Sequence, residues 1–120
     1  MFLNILVELM SIYRIALTTV AKKKDGERIA ALLVKKRVVA CVNLIGPITS
    51  FFTWKRKNCR ESEFLLIMKT ESKKIKDLER QLLQMHPYEV PEFVVIPIEQ
   101  GSKSYLRWIS TSIKPARFEL

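Results

Sequence analysis

Val38-Val39-Ala40-Cys41-Val42-Asn43-Leu44-Ile45-Gly46-Pro47-Ile48-Thr49-Ser50-Phe51-Phe52-Thr53-Trp54 reads as one long strand interrupted by a breaker. Val38 to Leu44 is apolar and of strand length, and Gly46-Pro47 halts it. Proline inside an extended run marks an edge strand or a bulge. Because Ile48 to Trp54 resumes the pattern, the spacing predicts a single kinked strand rather than two. A polar turn, Lys55-Arg56-Lys57-Asn58-Cys59-Arg60, follows, and Glu61 to Thr70 returns through Phe64, Leu65, Leu66, Ile67 and Met68. Two long runs around a polar turn make a hairpin. Its tip carries four basic residues beside Phe51, Phe52 and Trp54, the ingredients of a finger that stacks on nucleic-acid bases. The same charges also keep a strand edge from pairing with another edge. The second reading is preferred, and nucleic acid is not expected as a partner.

Outward from the hairpin the periodicity alternates. Tyr13 to Val20 is a β-branched and apolar run of strand length. Asp25 reads as an N-cap for a helix over 26–36, with Ile29, Leu32 and Leu33 at helical spacing and Lys35, Lys36 and Arg37 at its carboxyl end. Ser72 can cap a second helix with Ile75, Leu78, Leu82 and Met85 on one face, ending at His86-Pro87. A strand over 93–98 and a short helix begun by Ser102, carrying Tyr105, Leu106, Trp108 and Ile109, complete the chain. Strand, helix, strand, strand, helix, strand plus a terminal helix is the α+β, ferredoxin-like sandwich: an antiparallel sheet with helices on one face. The hairpin strands are longer than their neighbours can pair with, so the pattern predicts a closed homo-oligomer that covers the excess. Dimer and trimer both remain open at this point.

At 120 residues and 48% apolar content the chain is one domain with a substantial core. It is read as an extension over 1–11 (disordered or an over-called start, with Met10 as the alternative), a domain over 12–113 and a tail over 114–120. Its 21 basic and 12 acidic residues give a net charge of +9, which favours acidic partners or simply a well-solvated surface. Glu8 and Arg14 interrupt the apolar amino terminus, and no basic residue precedes it, so neither a membrane span nor a secretory signal is expected. Cys41 and Cys59 make no disulfide framework and read as free thiols in a reducing compartment. The three glycines stand apart, at Gly26, Gly46 and Gly101, which excludes a Gly-rich phosphate loop. No catalytic residues are assigned, and an enzyme is not expected.

Five motifs occur in register: Ala40-Cys41-Val42-Asn43; Ile48-Thr49-Ser50 with Trp54; Glu63 with Lys69-Thr70; His86-Pro87-Tyr88 with Pro91-Glu92; and Tyr105-Leu106-x-Trp108. In order and spacing the chain resembles the CutA divalent-cation tolerance proteins over roughly residues 12 to 113. The resemblance implies a tight trimer, similar in architecture to the PII signalling proteins, and a cytoplasmic role in tolerance to copper and other divalent metals. Two positions depart from the family pattern: Arg56 stands where a turn glycine is usual, and Phe52 where a tyrosine is usual.

Two constellations follow. Cys41, His86 and Glu92 are the candidate metal ligands, since thiolate suits Cu(I) and imidazole suits Cu(II) or zinc. One histidine per chain and no Cys-x-x-Cys make a complete site within one chain improbable. A symmetric site drawing a ligand from each subunit is the alternative, as is a Cys41 that merely packs. Copper or another divalent cation is thus the expected ligand, with no tightly bound cofactor. Trp54, Glu63, Lys69 and Tyr88 form the second group, either an intersubunit ion-pair network or a cleft between subunits for a small ligand. A PII-like signalling or scaffold protein, and a basic RNA-binding module, are the alternatives to metal tolerance.

Overall fold

β1 (Tyr13–Val20) has the bounds its sequence predicts. Its even positions Ala16, Thr18 and Val20 are fully buried, and its odd positions are partly exposed. The structure, a computed structural model, describes residues 11–115, so the reading of 1–10 as an extension and of 116–120 as tail lies outside the described residues.

α1 (Lys23–Lys35) starts three residues before the expected Gly26, with Lys22 at the N-cap and Asp25 in the first turn rather than capping. Asp25 keeps its favourable place near the positive end of the dipole. Gly26 lies inside the helix because the helix touches the sheet there: a Cβ would sit 2.9 Å from Leu44 Cδ1 and 3.2 Å from Val20 Cγ2. The helix closes on Arg37, at φ 59°, with Arg37 N–H donating to Val34 O (3.0 Å) and Val38 N–H to Leu33 O (3.3 Å). This is a Schellman ending, and its apolar contact is between two core residues, Leu33 and Val38. Val38, Val39 and Ala40 are therefore a buried turn, and β2 begins at Cys41 instead of Val38.

β2 (Cys41–Trp54) and β3 (Lys57–Glu71) form the long hairpin, and the register shifts between Ile45 and Ile48, at the Gly46-Pro47 breaker. The turn is two residues, not six. Lys55 and Arg56 have φ of 50° and 69°, and Lys57 to Arg60 belong to β3, where Cys59 faces Phe52. Positive φ at both central positions matches the twist of a tight hairpin.

Ser72 opens a 3-10 turn (Ser72–Lys74) rather than capping with its side chain, and α2 (Ile75–Met85) follows. Leu78 and Leu82 are fully buried, with Ile75 and Met85 packed beside them. β4 (Val94–Pro97) is an exposed edge strand, and α3 (Lys103–Ser112) is the last described element.

The sheet order is β2-β3-β1-β4, antiparallel throughout, which is the ferredoxin-like arrangement. α1 and α2 seal its even face around Ile29, Leu33, Leu66, Met68, Leu78 and Leu82. The additional helix α3 takes the opposite face at the Tyr13 end, where Ile109 and Ile113 pack with Ala40 and Tyr13 OH lies 2.7 Å from Ser110 Oγ. The Ser110 hydroxyl donates in turn to the Glu71 carboxylate. An apolar part of that face is incompletely covered: Ile45, Val94 and Ile96 are exposed, Leu17 and Ile67 half-buried. Beyond Glu63 the hairpin pairs, among the described residues, only with itself, since β1 stops opposite Phe64. The radius of gyration, 16.2 Å, accordingly exceeds the roughly 13.6 Å of a compact chain this long.

Two substitutions test the hairpin. A Cβ at Gly46 would lie 2.4 Å from Phe64 Cδ2 and 3.0 Å from Glu63 O, so Gly46→Ala should cost roughly 1–3 kcal/mol. Arg56→Gly relieves a left-handed residue and should add about 1 kcal/mol. Both are read by chemical denaturation at one fixed protein concentration.

Candidate functional site

Pro87 forces His86 out of the helix into extended backbone, φ −76° and ψ 134°, and turns its ring toward β1. Tyr88 N–H donates to His86 Nδ1 at 3.1 Å, so Nε2 carries the proton and donates to Thr19 O at 2.8 Å. His86 is buried, and burial holds its pKa below the ordinary 6.5, against weaker opposing pulls from the Thr19 carbonyl, Asp25 and Glu63. Both ring nitrogens are thus engaged in fixing the loop. A metal could take His86 only by displacing one of these bonds.

The ring of Tyr88 lies 4.9 Å from that of His86, and its hydroxyl donates to Glu63 Oε2 at 2.6 Å. Burial first, then the Glu63 hydrogen bond and charge, push the phenol well above its ordinary value of 10. This bond ties the loop after α2 to β3, and both residues line a cavity of about 820 Å³. Trp54, Glu63, Tyr88 and Glu92, from three separate stretches of sequence, line it together.

Lys69 is not with them. It shares the odd face with Glu63, as strand parity predicts, but its ammonium donates to Tyr105 OH (3.3 Å) and stands 5.5 Å from that ring. Tyr105 stacks in turn on Trp108, with centroids 5.5 Å apart. Glu63 and Lys69 each have a partner of their own and make no ion pair with one another.

Cys41 faces Lys69 across the β2–β3 ladder, and Lys69 faces Ile15. His86 meets β1 at Thr19, four residues further along and two strands away from Cys41. The Cys41 thiol is half-buried and 3.9 Å from Asn43 Oδ1. The expected ligands Cys41, His86 and Glu92 are therefore dispersed within one chain. Among the described residues no three His, Cys, Asp or Glu side chains gather to hold a metal ion. Among them, too, no helix is long and apolar enough to cross a membrane.

Phe51, Phe52, Glu61 and Glu89 also line the cavity and were not among the expected site residues, because nothing local shows that the outer hairpin faces the loop after α2. Thr19 contributes a backbone carbonyl, which leaves no trace in the identity of the residue.

The family model of the CutA1 divalent ion tolerance protein matches residues 4–112. Protein CutA of Mus musculus is 43% identical over 94 residues, 78% of this chain and 53% of that protein. This chain thus spans about half the length of that relative. The divalent-cation tolerance protein CutA of Archaeoglobus fulgidus is 40% identical over 96 residues, 80% of this chain and 93% of that one. Among solved structures, the periplasmic divalent cation tolerance protein CutA from Archaeoglobus fulgidus superposes with a TM-score of 0.82 at 37% identity, over 85% of this chain and 99% of that one. The PII-like protein CutA from Nostoc, in apo form, does so with a TM-score of 0.78 at 40% identity, over 84% and 97%.

His86 sets a pH dependence. Its pKa is lower folded than unfolded, so the unfolded chain binds the extra proton, and stability is full above about 6.5 and falls as pH drops below it. The thermal midpoint should decline from pH 7.5 to pH 5.0. In His86→Gln the decline should be smaller, with a lower starting midpoint.

Proposed function

Because the chain belongs to the CutA1 divalent ion tolerance family, we propose that it acts as a homotrimer in divalent-cation tolerance in the cytoplasm. Copper is the metal it meets, and no cofactor is tightly bound. The observation that carries this reading is the second face of the sheet. Ile45, Val94 and Ile96 are each 46–47% exposed there, with Leu17 and Ile67 between them and Cys41 at the Lys69 end. Covering a half-exposed aliphatic side chain gives about 1 kcal/mol, so a continuous face of this kind favours burial against further copies. The self-paired outer hairpin extends past the sheet and supplies a strand pair for a neighbouring subunit to cover. Three is the copy number that the family resemblance implies. In such an assembly Cys41 is the soft donor on the shared face, and copies related by symmetry provide the ligands that one chain lacks. Binding, and not catalysis, is the role proposed, since Cys41 and His86 do not form a nucleophile–base pair.

A second reading, a PII-like carrier or sensor of a small molecule, is favoured by the cavity between the outer hairpin and the loop after α2. Its volume falls in the range of small-molecule sites.

Native mass spectrometry of the chain, titrated with Cu(I), Cu(II) and Zn(II), tests the first reading. The expected result is a trimer that takes up a saturable, whole-number complement of copper and loses it on Cys41→Ser. A monomer would overturn the assembly, and unchanged copper uptake by Cys41→Ser would remove Cys41 as the ligand.

A further inference from the structure

The net charge is +9, yet the cavity is acidic. Glu61, Glu63, Glu89 and Glu92 line it, and among the described residues none of its lining is Lys, Arg or His. Phe51, Phe52, Trp54 and Tyr88 add aromatic surface to the lining. Glu63 is the informative member. It is only 7% exposed, and of its two carboxylate oxygens Oε2 accepts the Tyr88 hydroxyl, a neutral donor. Among the described residues Oε1 has no hydrogen-bond partner, and no cation lies within ion-pair distance of either oxygen. A carboxylate this little exposed would be stabilised by a positive partner, and it lines the cavity.

We propose that this cavity binds an organic ammonium ion, with the cationic head held by its carboxylates, Glu63 among them, and by its aromatic walls. The inference deepens the small-molecule reading above and names the chemical class of its ligand. Aromatic faces carry negative quadrupole charge and attract quaternary and protonated amines, most strongly where water is excluded. The carboxylates surround a cavity of about 820 Å³ without three of them converging, an arrangement suited to a bulky cation with spread charge and not to a compact metal ion. The chain itself offers a precedent at the rim: the Lys55 ammonium stands 5.7 Å from the centroid of the Trp54 ring and 3.9 Å from Glu89 Oε1. That pair is largely exposed and weak, so Lys55 is a displaceable competitor at the mouth and leaves Glu63 unmatched.

The experiment titrates the full chain, carrying Trp108→Phe so that Trp54 alone reports, with tetramethylammonium at constant ionic strength. tert-Butanol serves as the neutral mimic of shape and acetate as the anion. Saturable quenching by tetramethylammonium alone is expected, about tenfold weaker in Glu63→Gln, which keeps an acceptor for Tyr88. Lys55→Ala should tighten binding by about twofold, the effect of removing an exposed competitor. Equal response to tert-butanol, unchanged affinity in Glu63→Gln, or weaker binding in Lys55→Ala would each overturn the proposal. Native mass spectra of the same samples report the oligomeric state. A trimer that ignores tetramethylammonium therefore defeats the ligand class alone, whereas a monomer defeats the assembly.

Discussion

One register fixes what each part of this chain faces: β1 against β3, from Tyr13 opposite Glu71 to Val20 opposite Phe64. Ala16, Thr18 and Val20, with Leu66, Met68 and Thr70, point to the helices and are fully buried. Ile15, Leu17 and Thr19, with Leu65, Ile67 and Lys69, point the other way. A slip of one residue would exchange the two sets and drive Lys69 and Glu71 into the core. The same pairing carries Cys41, Asn43 and Ile45 from β2, and Val94 and Ile96 from β4, onto the second face. Both the sealed core and the apolar surface opposite are products of this central pair.

The elements were legible where burial imposes a period. β1 and the buried face of α2 carry the signature of one sealed side, while the kink of β2 and the stop of α2 were marked by proline. What failed was the placing of ends. Val38 to Ala40 is as apolar as a strand, but it is buried as the hydrophobic closure of α1, and composition does not separate the two uses. The short polar turn was read over Lys55 to Arg60, whereas Lys55 and Arg56 alone make it, both in the left-handed conformation, and Lys57 to Arg60 are strand. The unusual arginine noted at that position is therefore a residue held where glycine would be easier.

For the site, sequence brought out the chemistry but not the groupings. Trp54, Glu63, Tyr88 and Glu92 do line one space, whereas Lys69 has its own aromatic partners in α3. His86, attractive as a lone imidazole, is consumed by two backbone groups, an arrangement that no residue pattern advertises. The divergence has one cause. Strand parity tells which side a residue faces but not how far along the strand its partner lies, and Glu63 and Lys69 are six residues apart on the same side.

The outer hairpin has a consequence for how occupancy of the cavity responds to concentration. Phe51, Phe52 and Trp54 stand on a ribbon that, among the described residues, pairs only with itself, and a two-stranded ribbon is marginal in water unless something packs on it. One wall of the cavity thus rests on a ribbon that needs a neighbour, while the other wall, from Pro87 to Glu92, is pinned to the core by His86. If the neighbour is another copy of the chain, mass action links the two events. Dilution would loosen the aromatic wall before any contact with a ligand changed, and a ligand holding that wall in place would draw the subunits together.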